Sequence, residues 1–218
     1  KRIAIKMLQE QHRGDAELER LLIEEAKLGA QLSHRNLLSV QDLGADDGVY
    51  FVRMDLVDGG DLDALCRPGV PDVPLALLIA EEVALALMYV HSLADPEGRP
   101  LGLVHRDVSP SNVLLSKDGN VLLADFGIAR ELSSETNVTE THEVVGSLYF
   151  RAPEVLQGYS VDERADVYSL GRLLEWLLTG QLPRNHLPAP VPRGDRLSDD
   201  LCEAYDRIIK RATESVPD

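Results

Sequence analysis

Residues 103–125, LVHRDVSPSNVLLSKDGNVLLAD, decide how the rest of the chain is interpreted. Asp107 and Asn112 precede a first apolar run, and Asp125 closes a second one. An Asp-Gly pair between two runs rich in Val and Leu is a strong indicator of a β-hairpin. Such a hairpin would bring Asn112 and Asp125 together, with Asp107 alongside. Two carboxylates and a carboxamide so placed can hold Mg²⁺ and leave one carboxylate to handle a proton.

The composition is that of an ordinary globular domain. The 218 residues, of which 44% are hydrophobic, can bury a sizeable core as one domain with two lobes. A net charge of −15 would repel a phosphate backbone, which argues against nucleic acid as a partner. No apolar run reaches the roughly 18 residues that a membrane span needs, so no membrane segment is predicted within the chain.

The cysteines and histidines are scattered along the chain. Cys66 and Cys202 lie far apart, and the six histidines form no metal-binding spacing. Reduced thiols are therefore expected, which favours a cytoplasmic location. The sequence opens on Lys1 without a signal peptide, so we expect a longer parent protein, and any membrane anchor of that parent would lie outside this chain.

The N-terminal part is predicted to form antiparallel strands and one helix. Strands with β-branched residues are expected at residues 3–8, 37–43 and 49–56. Apolar residues at helical spacing predict a helix over residues 16–32, with Asp15 as its N-cap. Gly59 and Gly60 then predict a flexible connection, which is the first candidate boundary between lobes.

The remainder of the chain is predicted to be mainly helical. Long helical patterns cover residues 75–93, 162–179 and 197–213. The first of these is apolar on nearly all sides, which predicts a buried central helix. Gly180 follows the second as a C-cap signal. Residues 131–144 are polar and show no period, which predicts a mobile loop.

Short motifs spread over the whole chain resemble those of protein kinases, in the same order. They are Lys6 in Ile-Ala-Ile-Lys, His105-Arg106-Asp107, Asn112, Asp125-Phe126-Gly127 and Ala152-Pro153-Glu154. Each one is a weak signal alone, but their shared order is not a chance result. Pro110 in the catalytic loop and Ser147 further on suit serine/threonine specificity, and the run from His105 to Asn112 is similar to the loop of bacterial eukaryotic-like (Hanks-type) serine/threonine kinases.

The resemblance implies an α+β fold, the two-lobe protein-kinase fold. A small N-lobe of antiparallel strands and one helix would span residues 1–57, and a larger, mainly helical C-lobe would span residues 58–218. Together they would form a single, partial kinase domain. Its expected partners are ATP and proteins that carry Ser or Thr, with no nucleic acid, and dimerisation would serve autophosphorylation in trans.

The resemblance also implies a role for each polar residue of the site. Lys6 would hold the α- and β-phosphates of ATP and pair with Glu25 of the predicted helix, which fits the family's spacing better than Glu24. Asn112 and Asp125 would bind Mg²⁺, with Mn²⁺ as an alternative metal.

The remaining catalytic group and the adenine contacts follow from the same resemblance. Asp107 would accept or orient the proton of the substrate hydroxyl. The predicted adenine subsite consists of Met54 as gatekeeper, the Asp55 carbonyl and Val57 amide as hydrogen-bonding groups, and Ala4 and Leu114 on either face of the ring.

Thr139 and Thr141 are candidate phosphorylation sites in the predicted loop. A phosphate on either one could pair with Arg106 and order the segment. The alternative, an unmodified solvated loop, stays open.

Several positions depart from the family pattern. The Gly-rich loop that covers the phosphates is not in the sequence, because the sequence starts at the strand that follows this loop in the family, and Ser109 stands where the catalytic loop usually has a lysine. Gly29 stands where a core side chain is expected, which predicts a loosely held helix. Glu154 would lack its usual arginine partner, and a buried charge without a partner is costly.

The expected activity is that of an ATP-dependent serine/threonine protein kinase. The alternative is a pseudokinase, a nucleotide-binding or scaffold module without transfer activity. The presence of Lys6, Glu25, Asp107, Asn112 and Asp125 together favours the enzyme. A small-molecule kinase of related fold is disfavoured by Ala-Pro-Glu and the long loop before it.

Overall fold

The computed structural model describes residues 2–126, 146–183, 188–191 and 197–214. The strands are β1 (Ile3–Met7), β2 (Val40–Asp46), β3 (Val49–Asp55), β4 (Gly59–Asp61), β5 (Val113–Ser116) and β6 (Val121–Leu123). The helices are α1 (Ala16–Gly29), α2 (Leu62–Leu65), α3 (Val73–His91), α4 (Pro153–Leu156), α5 (Arg164–Thr179) and α6 (Asp199–Ala212). Short 3₁₀ turns lie at Glu10–His12 and Pro110–Asn112.

The first sheet has the strand order β1-β3-β2, with antiparallel pairing throughout, and α1 packs against it. Alternation along β1 turns Ala4 and Lys6 inward and leaves the other side chains of the strand exposed. Asp15 accepts hydrogen bonds from the backbone N–H groups of Glu17 and Leu18, at 3.0 and 3.2 Å. The predicted N-cap is therefore confirmed, and it fixes where α1 begins.

Gly29 lies at the contact between α1 and β2. A Cβ at this position would lie 2.6 Å from Cγ2 of Val40, so the helix and the strand touch directly. The expectation of a loosely held helix is therefore wrong at this point. The Val40 side chain fills the space that a larger residue at 29 would take.

The predicted hairpin is present in the second sheet, whose order is β4-β5-β6. Gly59 and Gly60 were expected in a flexible connection, and this prediction is wrong because both belong to β4, which pairs with β5. A Cβ at Gly59 would lie 1.8 Å from the carbonyl oxygen of Leu115. Only glycine allows the two backbones to approach this closely.

The larger core forms between α3 and α5, with α6 packed on α5. The predicted buried central helix lies in this core with one face only, since Leu75, Leu78 and Met88 on its other face are exposed. By length and composition α3 is apolar enough to cross a membrane, contrary to the sequence expectation. This is weak grounds for a span, because the core helix of a globular protein passes the same test.

The ends and contacts of α5 follow from its glycines. Gly180 has a φ of 71° and donates its N–H to the carbonyl of Trp176 at 2.8 Å, which confirms the predicted C-cap. A Cβ at Gly171 would lie 2.7 Å from that of Ala212, so α5 and α6 pack closely there.

Candidate active site

Lys6 joins three elements of the fold. Its Nζ lies 2.7 Å from Oε1 of Glu25 on α1 and 2.8 Å from Oδ1 of Asp125, which follows β6. The neighbouring Glu24 pairs instead with Arg20 on the exposed side of α1, at 2.9 Å. The structure thus brings Lys6, Glu25 and Asp125 together and leaves Glu24 outside the site.

The charge of Lys6 depends on these two carboxylates. Burial by itself lowers the pKa of Lys6, but attraction to Asp125 and Glu25, with the hydrogen bonds to both, outweighs burial and raises the pKa above its ordinary value. Lys6 is therefore a cation at neutral pH. The side chains of Lys6 and Asp125 are still 34% and 45% exposed, so an incoming ligand can reach this contact.

Asp107 lies buried at the start of the catalytic loop, held on both carboxylate oxygens. Asn112 Nδ2 donates to Oδ2 and to the backbone carbonyl of Asp107, both at 2.8 Å. Arg151 donates to Oδ1 through Nη2 at 2.8 Å and through Nε at 3.1 Å. The sequence analysis missed Arg151, because it lies 44 residues from Asp107 and no spacing in the chain marks the contact.

Asp166 anchors the backbone of this loop from α5. It is fully buried, and its two oxygens accept the N–H groups of His105 and Arg106, at 2.8 Å each. His91 Nε2, from the end of α3, adds a third contact at 2.8 Å that the sequence analysis missed. Arg106 has a φ of 67°, a left-handed conformation that costs a non-glycine residue on the order of 1–3 kcal/mol. The bonds to Asp166 hold the backbone in this conformation.

His105 and Phe126 pack together beneath the site. Their ring centroids lie 4.7 Å apart, and His105 has no exposed surface. Burial lowers the pKa of His105, although the charges of Asp166, Asp107 and Asp125 oppose this shift. The ring is therefore neutral at pH 7, and its Nδ1 accepts the Asp107 N–H at 3.4 Å. Both side chains are buried, so they belong to the packing beneath the site.

Asn112 and Asp125 flank the two ends of the hairpin formed by β5 and β6. The N–H of Ala124 donates to the Asn112 carbonyl at 2.8 Å, which ties the two ends of the hairpin together. Because Asn112 uses Nδ2 on Asp107, its Oδ1 is the atom that suits a metal. Among the described residues, no group of three or more His, Cys, Asp or Glu side chains is arranged so that it could hold a metal ion. The donor set fits Mg²⁺, which takes one or two protein oxygens and completes its shell with phosphate and water.

The residues predicted to hold adenine lie on three strands and the segment after β3. Met54 is buried on β3, and Ala4 pairs with it across the sheet. Asp55 ends β3, and Val57 follows it in the connection to β4. Leu114 lies half-buried on β5. The structure therefore places these residues at the junction of the two sheets.

A cavity opens on the α1 side of Met54. Lys6, Glu25, Gly29 and Val40 contribute to its walls, together with Asp125 at its mouth. The other predicted adenine contacts do not line it. The cavity thus extends from the Lys6 contacts to Met54, which is the one residue that it shares with the predicted adenine subsite.

The comparisons with known proteins identify the family. The sequence profile of the protein kinase domain matches residues 1–192. The chain belongs to the protein kinase domain family. It is similar to serine/threonine-protein kinase PrkC of Bacillus subtilis, with 34% identity over 226 residues that cover 99% of this chain and 34% of PrkC. It is 36% identical to serine/threonine-protein kinase PknJ of Mycobacterium tuberculosis, over 98% of this chain and 38% of PknJ.

A solved kinase domain confirms the fold class. The crystal structure of a variant of the Mycobacterium tuberculosis PknI kinase domain superposes with a TM-score of 0.71 and 33% identity, over 98% of this chain and 77% of that one. The predicted α+β, two-lobe kinase fold is therefore confirmed. The chain spans just over a third of the length of the two curated relatives, 34% and 38%.

The departures of this kinase domain from the family pattern can now be located. Ser109 is buried, and its Oγ lies 3.0 Å from that of Ser111. Glu154 is only half-buried in the first turn of α4, so it is not the isolated buried charge that the sequence raised as a concern. Gly127, Thr139 and Thr141 lie outside the described residues.

Proposed function

We propose that the chain is the catalytic domain of a serine/threonine protein kinase, which transfers the γ-phosphoryl group of ATP to hydroxyls of protein substrates. The observation that carries this proposal is the double contact of Lys6 with Glu25 and Asp125. It joins β1, α1 and the hairpin at one point, next to the buried Asp107. A structural module would have no need of a cation shared in this way between two lobes.

The polar residues divide the work of phosphoryl transfer. Lys6 binds the α- and β-phosphate oxygens, and Glu25 keeps its ammonium in place. Asn112 Oδ1 and the Asp125 carboxylate would hold Mg²⁺, which would supply positive charge to offset the charge that develops on the phosphoryl group. The substrate hydroxyl oxygen bonds to the γ-phosphorus while the bond to the bridging oxygen of ADP breaks, and the hydroxyl proton passes to Asp107.

The nucleotide base would lie between the lobes. We assign the Asp55 carbonyl and the Val57 amide as its hydrogen-bonding groups, with Met54 as gatekeeper and Ala4 and Leu114 against the ring faces. Backbone groups suit this task because they present a donor and an acceptor at fixed spacing. In this assignment the N-lobe ends at residue 57 and the C-lobe begins at residue 58, within one partial kinase domain.

The proposed setting of the reaction is the cytoplasm, where ATP and protein substrates meet. Neither Cys66 nor Cys202 forms a disulfide with another described residue, which fits a reducing compartment. Autophosphorylation is proposed at Thr139 or Thr141, by one copy of the protein acting on another. Incubation with Mg-ATP followed by mass spectrometry should locate phosphate on one of them, and an active preparation with both unmodified would contradict this assignment.

The decisive experiment is a radiolabelled-ATP assay on the full-length protein that contains this chain. We expect label on Ser or Thr with the wild type, and a loss of roughly 10²–10⁴-fold with Asp107→Asn, because a general base contributes about that much. Asp125→Asn should lose activity as well, together with Mg-dependent nucleotide binding. Arg20→Ala, on the exposed face of α1, serves as the matched control and should label like the wild type.

The outcomes separate the enzyme from its alternatives. Nucleotide binding without label transfer by the wild type would establish the pseudokinase instead. Label on tyrosine would overturn the Ser/Thr assignment while leaving the kinase. Equal labelling by the wild type, Asp107→Asn and Asp125→Asn would refute the mechanism.

A further inference from the structure

The ion pair between Arg151 and Asp107 is buried at the reacting carboxylate. The two side chains are only 12% and 5% exposed. Two nitrogens of Arg151 bind Oδ1, while Asn112 binds Oδ2, so the carboxylate is fixed from both sides. Charge-assisted bonds of this kind set the orientation of a carboxylate as well as its position.

The catalytic loop itself carries no cation after Asp107. The residues between Asp107 and Asn112 are Val-Ser-Pro-Ser, and the hydroxyl of Ser109 forms a hydrogen bond with that of Ser111. Lys6 is already shared between two carboxylates. Phosphoryl transfer places negative charge on the equatorial oxygens of the moving group, and fixed positive charge near them lowers the barrier.

The guanidinium of Arg151 binds Asp107 with two of its three nitrogens. Nε and Nη2 both bind Asp107, whereas Nη1 makes no hydrogen bond with any residue that the structure describes. A guanidinium presents five N–H donors in a rigid fork, so it can clamp one oxygen and still offer donors to another. A phosphate oxygen is an acceptor of the right charge for that free edge.

Stability alone does not account for this pair. A buried ion pair is on average no more stabilising than apolar residues of similar volume, because both charges lose their hydration. The pair also lies on the carboxylate that the proposed mechanism uses, and Arg151 is held there by the start of α4, since Ala152 is the N-cap residue of that helix. This position favours a role in the reaction.

We propose that Arg151 is a positioning residue for phosphoryl transfer, which fixes Asp107 and supplies the positive charge that the catalytic loop lacks at Ser109. This inference rests on the proposed kinase function. Arg151 is then the second cation of the site, and it comes from the segment before α4 and not from the catalytic loop.

The test uses the full-length kinase and separates kcat from KM. Arg151→Met keeps most of the side-chain volume, and we expect its kcat to fall by roughly 10²-fold, the loss typical of removing one fixed charge-stabilising donor. The Kd for Mg-ATP should stay near that of the wild type, whereas the thermal midpoint should fall because the buried Asp107 loses its partner, so kcat is measured well below that midpoint. Arg164→Ala is the matched control, since Arg164 forms a similar fork with Asp162 on the exposed surface, and its kcat should be unchanged.

Two further variants test the charge itself. Arg151→Lys keeps the cation at the same place, and Ser109→Lys in the Arg151→Met background restores a cation to the catalytic loop. We expect at least one of them to have a kcat about tenfold above that of Arg151→Met. A purely structural role of Arg151 would not give such a gain.

Three results would overturn the proposal. Arg151→Met could keep the wild-type kcat, or exceed it, in which case the arginine restrains Asp107 and does not assist it. The kcat could fall with neither lysine restoring it, which would assign Arg151 to folding alone. A wild-type protein that binds Mg-ATP but transfers no phosphate would refute the proposed function, and this inference with it.

Discussion

The two carboxylates at the centre of the site are held in opposite ways. Asp125 is 45% exposed, and its partner Lys6 comes from the other lobe. Asp107 is 5% exposed, and its partner Arg151 comes from the same lobe. Exposed pairs typically contribute about 0–1 kcal/mol, whereas breaking a buried pair costs about 3–5 kcal/mol. The lobes can therefore separate cheaply, while the catalytic loop stays fixed.

The packing beneath the two halves shows the same contrast. The sheet and helix around Lys6 rest on a small core formed by Leu22, Ala26, Val52 and Met54. The loop around Asp107 lies on the large core between α3 and α5 and is tied to it by Asp166. Predictions that target each half in turn should therefore give effects of different size and kind.

The largest effect on stability is expected at Asp166. Asp166→Ala leaves the N–H groups of His105 and Arg106 buried without their acceptor, together with the His91 contact. The free energy of unfolding should fall by about 3–5 kcal/mol. Urea denaturation measures the change, with Asp162→Ala on the exposed surface as control. A loss below about 1 kcal/mol would show that the catalytic loop does not depend on this anchor.

The next effect is kinetic and falls on the other half of the site. Glu25→Gln removes the charge that holds Lys6, and kcat/KM for ATP should fall by roughly 10²-fold because the ammonium is misplaced. The free energy of unfolding should fall by less than the roughly 3–5 kcal/mol of a fully buried pair, since Lys6 is 34% exposed although Glu25 is buried. Glu24→Gln should behave as the wild type. Equal kinetics for the two variants would contradict the role of Glu25.

A third variant tests the contact between α1 and β2. Gly29→Ala introduces a Cβ 2.6 Å from Val40 Cγ2, which should cost roughly 1–3 kcal/mol of unfolding free energy through overpacking. Val40→Ala in the same chain should relieve the clash. A double-mutant cycle measures the coupling between the two sites. Additive losses would mean that the helix shifts freely and that the contact is not tight.

The smallest effect concerns pH. Burial lowers the pKa of His105 on folding, so below the unfolded pKa the unfolded chain binds a proton at His105 that the folded chain does not bind. The contribution of neutral His105 to the free energy of unfolding is thus fully present above the unfolded pKa, about 6.5. It is lost as the pH falls below that value, by at most about 1.4 kcal/mol per pH unit. His105→Phe should flatten this slope between pH 7.5 and 5. If the free energy of unfolding depends on pH with the same slope in the wild type and in His105→Phe, His105 is excluded as the source.

Local signals predicted the parts of the fold that depend on neighbouring residues. The Asp15 cap, the Gly180 cap and the hairpin after Asn112 each rest on a short stretch of chain, and each is present. β4 was missed because the partner of Gly59 is Ser116 on β5, far along the chain. The exposed face of α3 was missed because composition does not say which side of an apolar helix finds a neighbour.

The residues of the site also differ in whether the sequence could predict them. Motif order was enough to single out Lys6, Asp107 and Asp125, because the resemblance carries their roles. Arg151 could not be found in this way, since its contact with Asp107 exists only after the chain has folded and no motif of the family holds it. A residue that arrives from a distant segment leaves no trace in local spacing.

The double contact of Lys6 also bears on how nucleotide and metal enter. Its ammonium is already neutralised by Asp125, so a phosphate does not meet a vacant cation but must exchange with a carboxylate. The exchange becomes favourable when a metal compensates the released carboxylate. Each of the two ligands is then expected to raise the affinity for the other by the same factor, because thermodynamic linkage is reciprocal. Mg²⁺ and ATP should accordingly bind as a cooperative pair, with neither one saturating the site well alone.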